Sequence, residues 1–318
     1  MSSTNFTNAP LNNTVACAPE NGRAYFIETE DGISLRLGLW PNSSDRKGTI
    51  FFLLGRADFL EKLGHTVSEL YGLGYSVCAL EFRGLGLSQR ITNDPRAGHI
   101  EDFGDYQKDV SAFISAAIQM DFPKPWNIVA NSMGGCVALR YAINSPSPFS
   151  AYAFTSPMWG IKLTPLQKLI APAISTLMCK IGLSTTYAPG KSGSNETLET
   201  SFADNDLTND AEMYTHLIKV NREVDDAWIG GPTIGWLNKA LQETNRLSKV
   251  PSPKCKAIIL SAECDTVVDN NAILHRINQW PSAKYQPVKA AKHDLLRSGS
   301  KTRREVLNHI VAHFEATE

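Results

Sequence analysis

Three side chains could do chemistry together: Ser132 in VANSMGGCVALRY (129–141), Asp265 in AIILSAECDTVVD (257–269) and His293 in AAKHDLL (290–296). A serine hydroxyl is a weak nucleophile until an imidazole takes its proton. The imidazole serves best when a carboxylate fixes its tautomer and stabilises its charged form. His293 would therefore take the Ser132 proton and return it to the leaving group, with Asp265 as the orienting acid. Glu263 and Asp269 compete for the acid role. Glu263 lies within a strand pattern, and Asp269 reads as a helix cap.

The residues around Ser132, A-N-S-M-G, differ by one methyl group from the G-x-S-x-G pattern of a nucleophile turn. Such a turn needs a strand before the serine and a helix after it, with small residues two positions either side because the two backbones approach closely. WNIVAN precedes Ser132 and MGGCVALRYAI follows. Gly134 meets the size requirement, Gly135 lets the helix pack tightly, and Ala130 adds only a methyl. The helix start also offers free N–H groups to a developing negative charge. One donor to an oxyanion is expected from the Met133 backbone N–H. The second is expected from the Arg56 N–H in LLGRADFLEK, where Gly55 permits a close turn. Arg56 and Asp58 form either a surface ion pair of little weight or a polar rim for a substrate head group.

These groups need a scaffold. Apolar runs at 25–29, 33–40, 49–54, 75–82, 126–131, 151–156 and 256–262 read as strands, and the run at 285–288 reads as an edge strand because it contains Pro287. The first two flank Asp31-Gly32 as a hairpin. From Thr49 onward strands alternate with helical patterns, which predicts an α/β fold with a mainly parallel sheet flanked by helices. Phe103, Tyr106, Val110, Phe113, Ile114, Ala117 and Ile118 recur at helical spacing, as do Val306, Ile310, Val311 and Phe314. Asp265 and His293 fall at strand C-terminal ends, where open α/β sheets bind ligands.

The alternation breaks over 157–253, which is helix-rich and is expected to be a helical cap inserted after the sixth strand. The core is then 23–156 with 254–318, and 1–22 is a loosely ordered leader without a signal-peptide pattern. Within the cap, Met158, Trp159, Trp228, Trp236 and the apolar run from Leu169 to Leu183 are expected to form core against the sheet. Some should line an apolar pocket, and the three tryptophans are the substrate-binding candidates.

The chain has 318 residues, 31 basic and 32 acidic. That balance supplies no field for nucleic acid, so no nucleic-acid partner is expected. No apolar run is long enough to span a bilayer; LIAPAISTLM is short and holds a proline. Lipid contact would then be peripheral, through an amphipathic cap helix. The six cysteines are scattered, with no CxxC and no His/Cys cluster at metal spacing, so reduced thiols in a cytoplasmic protein are expected and no metal. Cys264 reads as a packing residue. No oligomeric state follows from the sequence.

Taken together, GRADFLEK, EFRGLGLSQR (81–90), GHIEDFGDYQKD (98–109), NSMGG, AECDTVV and AAKHDLL resemble the α/β-hydrolase superfamily, and within it the lysophospholipase L2 and monoacylglycerol lipase branch. NDLTNDAEMY (205–214) and GGPTIGWL (230–237) resemble the bacterial lysophospholipase L2 group. The resemblance implies hydrolysis of a single acyl ester through an acyl-enzyme on Ser132, without metal or cofactor. Ala130, Asn131, Glu81 (where aspartate is common), Leu85 and Leu54 (where a histidine often stands) depart from the pattern. Arg83 is expected to brace loops. A short-chain esterase or an acyltransferase would use the same triad, and a non-catalytic binding relative is the remaining alternative. An acidic nucleophile, needed by a dehalogenase or epoxide hydrolase, is absent at position 132.

Overall fold

The computed structural model describes residues 6–43, 47–144 and 146–317. Its nine strands are β1 (Thr7–Ala9), β2 (Arg23–Glu28), β3 (Ser34–Trp40), β4 (Thr49–Leu53), β5 (Ser76–Leu80), β6 (Trp126–Asn131), β7 (Ala151–Thr155), β8 (Ala257–Ala262) and β9 (Ala283–Val288). They form one sheet in the order β1-β2-β3-β5-β4-β6-β7-β8-β9. Every pairing from β5 to β9 is parallel, and β1 to β3 add antiparallel strands at the other side. The Asp31-Gly32 hairpin joins β2 and β3, with Gly32 at φ 78°. Pro287 sits on the edge strand β9, where its missing N–H breaks no interior ladder.

Strands β4 to β8 are buried on both faces, and the two faces take alternate residues. Phe51, Leu53, Ile128, Ala130, Tyr152, Phe154 and Ile259 pack on one side with α3 (Asp105–Gln119) and α4 (Met133–Asn144). Ile50, Phe52, Val129, Ala153, Ile258 and Leu260 pack on the other. There they meet α2 (Gly64–Gly72) and the final helix, α10 (Ser300–Glu315), through Val306, Ile310 and Phe314. Ile118 leaves the expected inner stripe of α3 and faces solvent, while Ala116 and Ala117 of the same turn are buried: it lies on the flank of the stripe that Tyr106, Val110, Phe113 and Ala117 define.

The N-terminal segment departs from the leader expected over 1–22. Residues 1–5 lie outside the described chain, but Thr7–Ala9 pair with Ala24–Phe26 as an edge strand. The short α1 (Asn13–Ala16) then packs on α2, capped by the Asn12 side chain. Polar composition hid this because an edge strand and a one-turn helix need few apolar residues. The helical insertion therefore follows the seventh strand in chain order, although the strand before it is the expected one at 151–156.

Between β7 and β8 lie α5 (Pro165–Lys180), α6 (Glu196–Glu199), α7 (Ala211–Glu223) and α8 (Ile234–Ser248); α9 (Asn270–Asn278) follows β8. The apolar run 169–183 does not form core as expected. In α5 it is Ser175 that is buried, and Asn238 of α8 donates to Ser175 Oγ and Thr176 Oγ1, at 3.0 and 2.9 Å. Leu166, Leu169, Leu177 and Ile181 point outward, Leu169 with 78% of its surface exposed. The helix meets α8 through Ser175 and Thr176 and presents Leu166, Leu169 and Leu177 outward.

Candidate active site

Ser132 stands between β6 and α4 with φ 50°, a left-handed conformation that costs a non-glycine residue energy and needs support from its surroundings. That support is visible. The Ser132 N–H donates to the Thr155 carbonyl (3.0 Å), and the Ser132 carbonyl accepts from Gly135 and Met158 N–H, each at 2.9 Å. A Cβ on Gly134 would lie 2.1 Å from the Leu53 carbonyl oxygen, and one on Gly135 would lie 2.6 Å from Pro157 Cβ. Glycine is thus required after the serine, where α4 crosses the end of β4. Ala130 is fully buried inside the strand and accommodates its methyl. The departure from the five-residue pattern falls on the side that tolerates it.

Ser132 Oγ lies 3.0 Å from His293 Nε2, and His293 Nδ1 lies 2.7 Å from Asp265 Oδ2. The other Asp265 oxygen accepts from the Val267 and Val268 N–H groups, at 2.8 and 3.0 Å, so the carboxylate is held on both sides. The three residues come from the ends of β6, β8 and β9. Asp269 caps α9 and is ion-paired with Lys168, while Glu263 lies just beyond β8, exposed, accepting from the Ala290 N–H. Cys264 is exposed and not a packing residue, since β8 has already ended.

Met133 is the first residue of α4, so its N–H has no acceptor within the helix. Gly55 borders the serine closely enough that an added Cβ would be 3.3 Å from Ser132 Cβ, which brings the Gly55-Arg56 turn alongside the hydroxyl. The Arg56 side chain turns away from that turn. Its Nη1 donates to the Gly230 carbonyl (2.9 Å), and the guanidinium lies 5.7 Å from the Trp236 ring centroid.

Asp58 is neither a surface pair with Arg56 nor a rim group. It is buried, accepts from the Gly55 N–H at 3.0 Å, and is ion-paired with Arg297. Its side chain turns inward because Arg297, which also pairs with Asp294 beside His293, needs a second carboxylate. Burial alone would raise the Asp58 carboxyl, and the Arg297 guanidinium outweighs this and holds it below its ordinary value. Burial works against the charge on Arg297, and Asp294 and Asp58 more than offset that. Nearby, Lys62 donates to the Ala57 carbonyl (3.0 Å), and burial pushes its ammonium down to about 8.

The tryptophans separate. Trp159 is buried in the main core, its Nε1 donating to the Gly135 carbonyl and its ring packed against Phe154 and Trp280. Trp228 is half-buried under the Arg96 guanidinium, 3.5 Å from its ring centroid. Only Trp236 of the three contacts Arg56. Arg83 braces loops as expected, pairing with Asp109 and Asp31. Glu81 takes hydrogen bonds from Arg36 and from the Leu60 and Leu87 N–H groups, tying both loops at this sheet edge.

Sequence reasoning missed Arg297 and the part played by 205–210. The Asp206 and Leu207 carbonyls accept from the His293 and Asp294 N–H groups, at 3.2 and 2.9 Å, and Asp206 Oδ1 accepts from Thr266 Oγ1. The NDLTND stretch was visible as a motif, but no spacing tied it to either loop.

A mostly parallel sheet with its serine at a strand–helix turn defines an α/β-hydrolase fold, and the chain is a serine hydrolase. It belongs to the family described as serine aminopeptidase, S33, whose model matches residues 44–298, and within it to the lysophospholipase and monoacylglycerol lipase-like group. A Haemophilus influenzae protein named as a probable lysophospholipase L2 is 30% identical over 86% of this chain and 85% of its own length. Lysophospholipase L2 of Escherichia coli K12 is 29% identical, over 82% and 78%. In fold, the chain is similar to a soluble variant of monoglyceride lipase from Saccharomyces cerevisiae, with a TM-score of 0.70 at 16% identity, covering 92% of this chain and 94% of that one.

Proposed function

We propose that the chain is a lipid ester hydrolase that cleaves single-acyl lipids, lysophospholipids or monoacylglycerols, through an acyl-enzyme on Ser132. The observation that carries this reading is the continuous hydrogen-bonded chain from Ser132 Oγ through His293 to Asp265. Ser132 Oγ attacks the ester carbonyl as His293 Nε2 takes its proton. Asp265, accepting from His293 Nδ1, stabilises the imidazolium. The Met133 and Arg56 N–H groups receive the oxyanion. His293 then protonates the departing alcohol, and a water activated by the same nitrogen releases the fatty acid. The names of the relatives support the lipid class.

The outward apolar face of α5 supports a peripheral role at a membrane, which would bring the site to its substrate. Lys180, exposed in the last turn of that helix, suits an anionic surface. No described helix is long and apolar enough to cross a membrane. All six cysteines are free, which supports a reducing compartment and action from the cytoplasmic side.

The test is fatty-acid release from lysophosphatidylcholine, lysophosphatidylethanolamine, monoacylglycerol, a diacyl phospholipid and a short p-nitrophenyl ester, with Ser132→Ala alongside. Release from the single-acyl lipids, lost in the variant, is expected. Activity on the short ester alone would overturn the lipid assignment. Transfer of the acyl group to added glycerol in preference to water would make the protein an acyltransferase.

A further inference from the structure

Outside the active site, three potential metal ligands that are distant in sequence meet. The Cys17 thiol, the His65 imidazole and the His216 imidazole each bring one ligand atom within 4.8 Å of the other two. Cys17 ends α1 at φ 59°, His65 lies in the first turn of α2, and His216 lies in α7 of the insertion. We propose that Cys17, His65 and His216 form a Zn2+ site that joins the N-terminal segment and the insertion to the core.

The fold builds this meeting point. A Cβ on Gly64 would lie 1.7 Å from the Ala16 carbonyl oxygen, so α1 and α2 touch backbone to backbone just before both ligands. Ser68 Oγ, one turn beyond His65, donates to the Cys17 carbonyl at 2.7 Å and locks the cysteine to that face of α2. The His65 and His216 rings lie edge to face with centroids 4.6 Å apart. His216 Nε2 is buried with no hydrogen-bond partner, which in an interior calls for a ligand. The nearby Arg303 is engaged by Glu69 at 2.8 Å, and its Nη1 contacts Met213 Sδ.

The donor set also selects the metal. One thiolate with two imidazoles suits zinc, at about 2.3 Å to sulfur and 2.0–2.1 Å to nitrogen, with water in a fourth position. Tetrahedral bonds of that length put ligand atoms about 3.5 Å apart. The three ligand atoms, within 4.8 Å of one another, would draw closer on binding. On binding, the S–H bond breaks, sulfur keeps the electron pair and forms the Zn–S bond, and the proton leaves to solvent.

The test uses tag-free full-length protein stripped with chelator and dialysed. Calorimetric titration with Zn2+ should give one ion per chain and a rise in Tm. Titration with Co2+ should give tetrahedral visible bands with a thiolate charge-transfer band. Cys17→Ser should remove the charge-transfer band. His65→Ala and His216→Ala should each weaken Zn2+ binding at least tenfold while hydrolysis of a short ester persists, which shows that the variants are folded. No stoichiometric uptake by the parent protein would overturn the proposal, as would variants that bind Zn2+ as tightly as the parent.

Discussion

The Asp58 carboxylate and the Arg297 guanidinium are ion-paired in the interior, although 239 positions separate them in the chain. Asp58 also holds the Gly55 N–H beside Ser132, and Arg297 also holds Asp294 next to His293. One pair therefore links the turn expected to receive the oxyanion with the loop that carries His293, the proposed base. Asp58→Asn keeps the shape and removes the charge, leaving Arg297 with half its partners. Its kcat on a short ester is expected to fall at least tenfold with KM nearly unchanged, because positioning and not binding is lost. Breaking a buried pair should also cost about 3 kcal/mol in a urea titration. A KM effect alone would return Asp58 to a substrate-facing role.

Asp265 is held at 2.7 Å from His293 Nδ1. Asp265→Asn is expected to lower kcat by about 10⁴, since an amide favours the wrong imidazole tautomer. Combining it with Ser132→Ala should lower kcat little further than Ser132→Ala alone, because the groups act as a unit. Additive losses in steady-state kinetics would argue against a shared mechanism.

The two sides of the nucleophile turn should respond unequally. Gly134→Ala puts a methyl 2.1 Å from a backbone carbonyl and is expected to destabilise by at least about 1–3 kcal/mol and to displace Ser132. Ala130→Gly should keep most activity and cost about 1 kcal/mol through strand entropy. Thermal unfolding and kcat for the pair check this.

Burial lowers Lys62 from its ordinary 10.5 to about 8. Between those values the unfolded chain holds a proton that the folded chain has released. Stability attributable to Lys62 should thus rise with pH across that window, by up to roughly 3 kcal/mol, and be lower below it. Lys62→Met removes the titrating group. The unfolding free energy of the parent minus that of the variant, measured from pH 7 to 10.5, should increase as pH rises. A difference that is flat in pH would show that Lys62 is not held in a desolvated state.

Leu169→Ser with Leu177→Ser removes apolar surface from the outward side of α5. Sedimentation with anionic vesicles is expected to fall several-fold while turnover of a soluble short ester is unchanged. Unaltered sedimentation would place the lipid-facing surface elsewhere.

The sequence by itself determined the local parts of this protein. The strand runs, the Asp31-Gly32 turn and the helix caps show in patterns among near neighbours, which is the range over which pattern and turn chemistry act. The order of serine, acid and histidine could be read from motifs alone. Tertiary structure decided what depends on segments far apart meeting. It turned Asp58 inward to Arg297, set 205–210 under the histidine loop, and joined Cys17 to His65 and His216. It also reversed the expected burial of α5. Periodicity says only that a helix has unlike sides, and here the side that carries Ser175 and Thr176 is the one that α8 meets with hydrogen bonds.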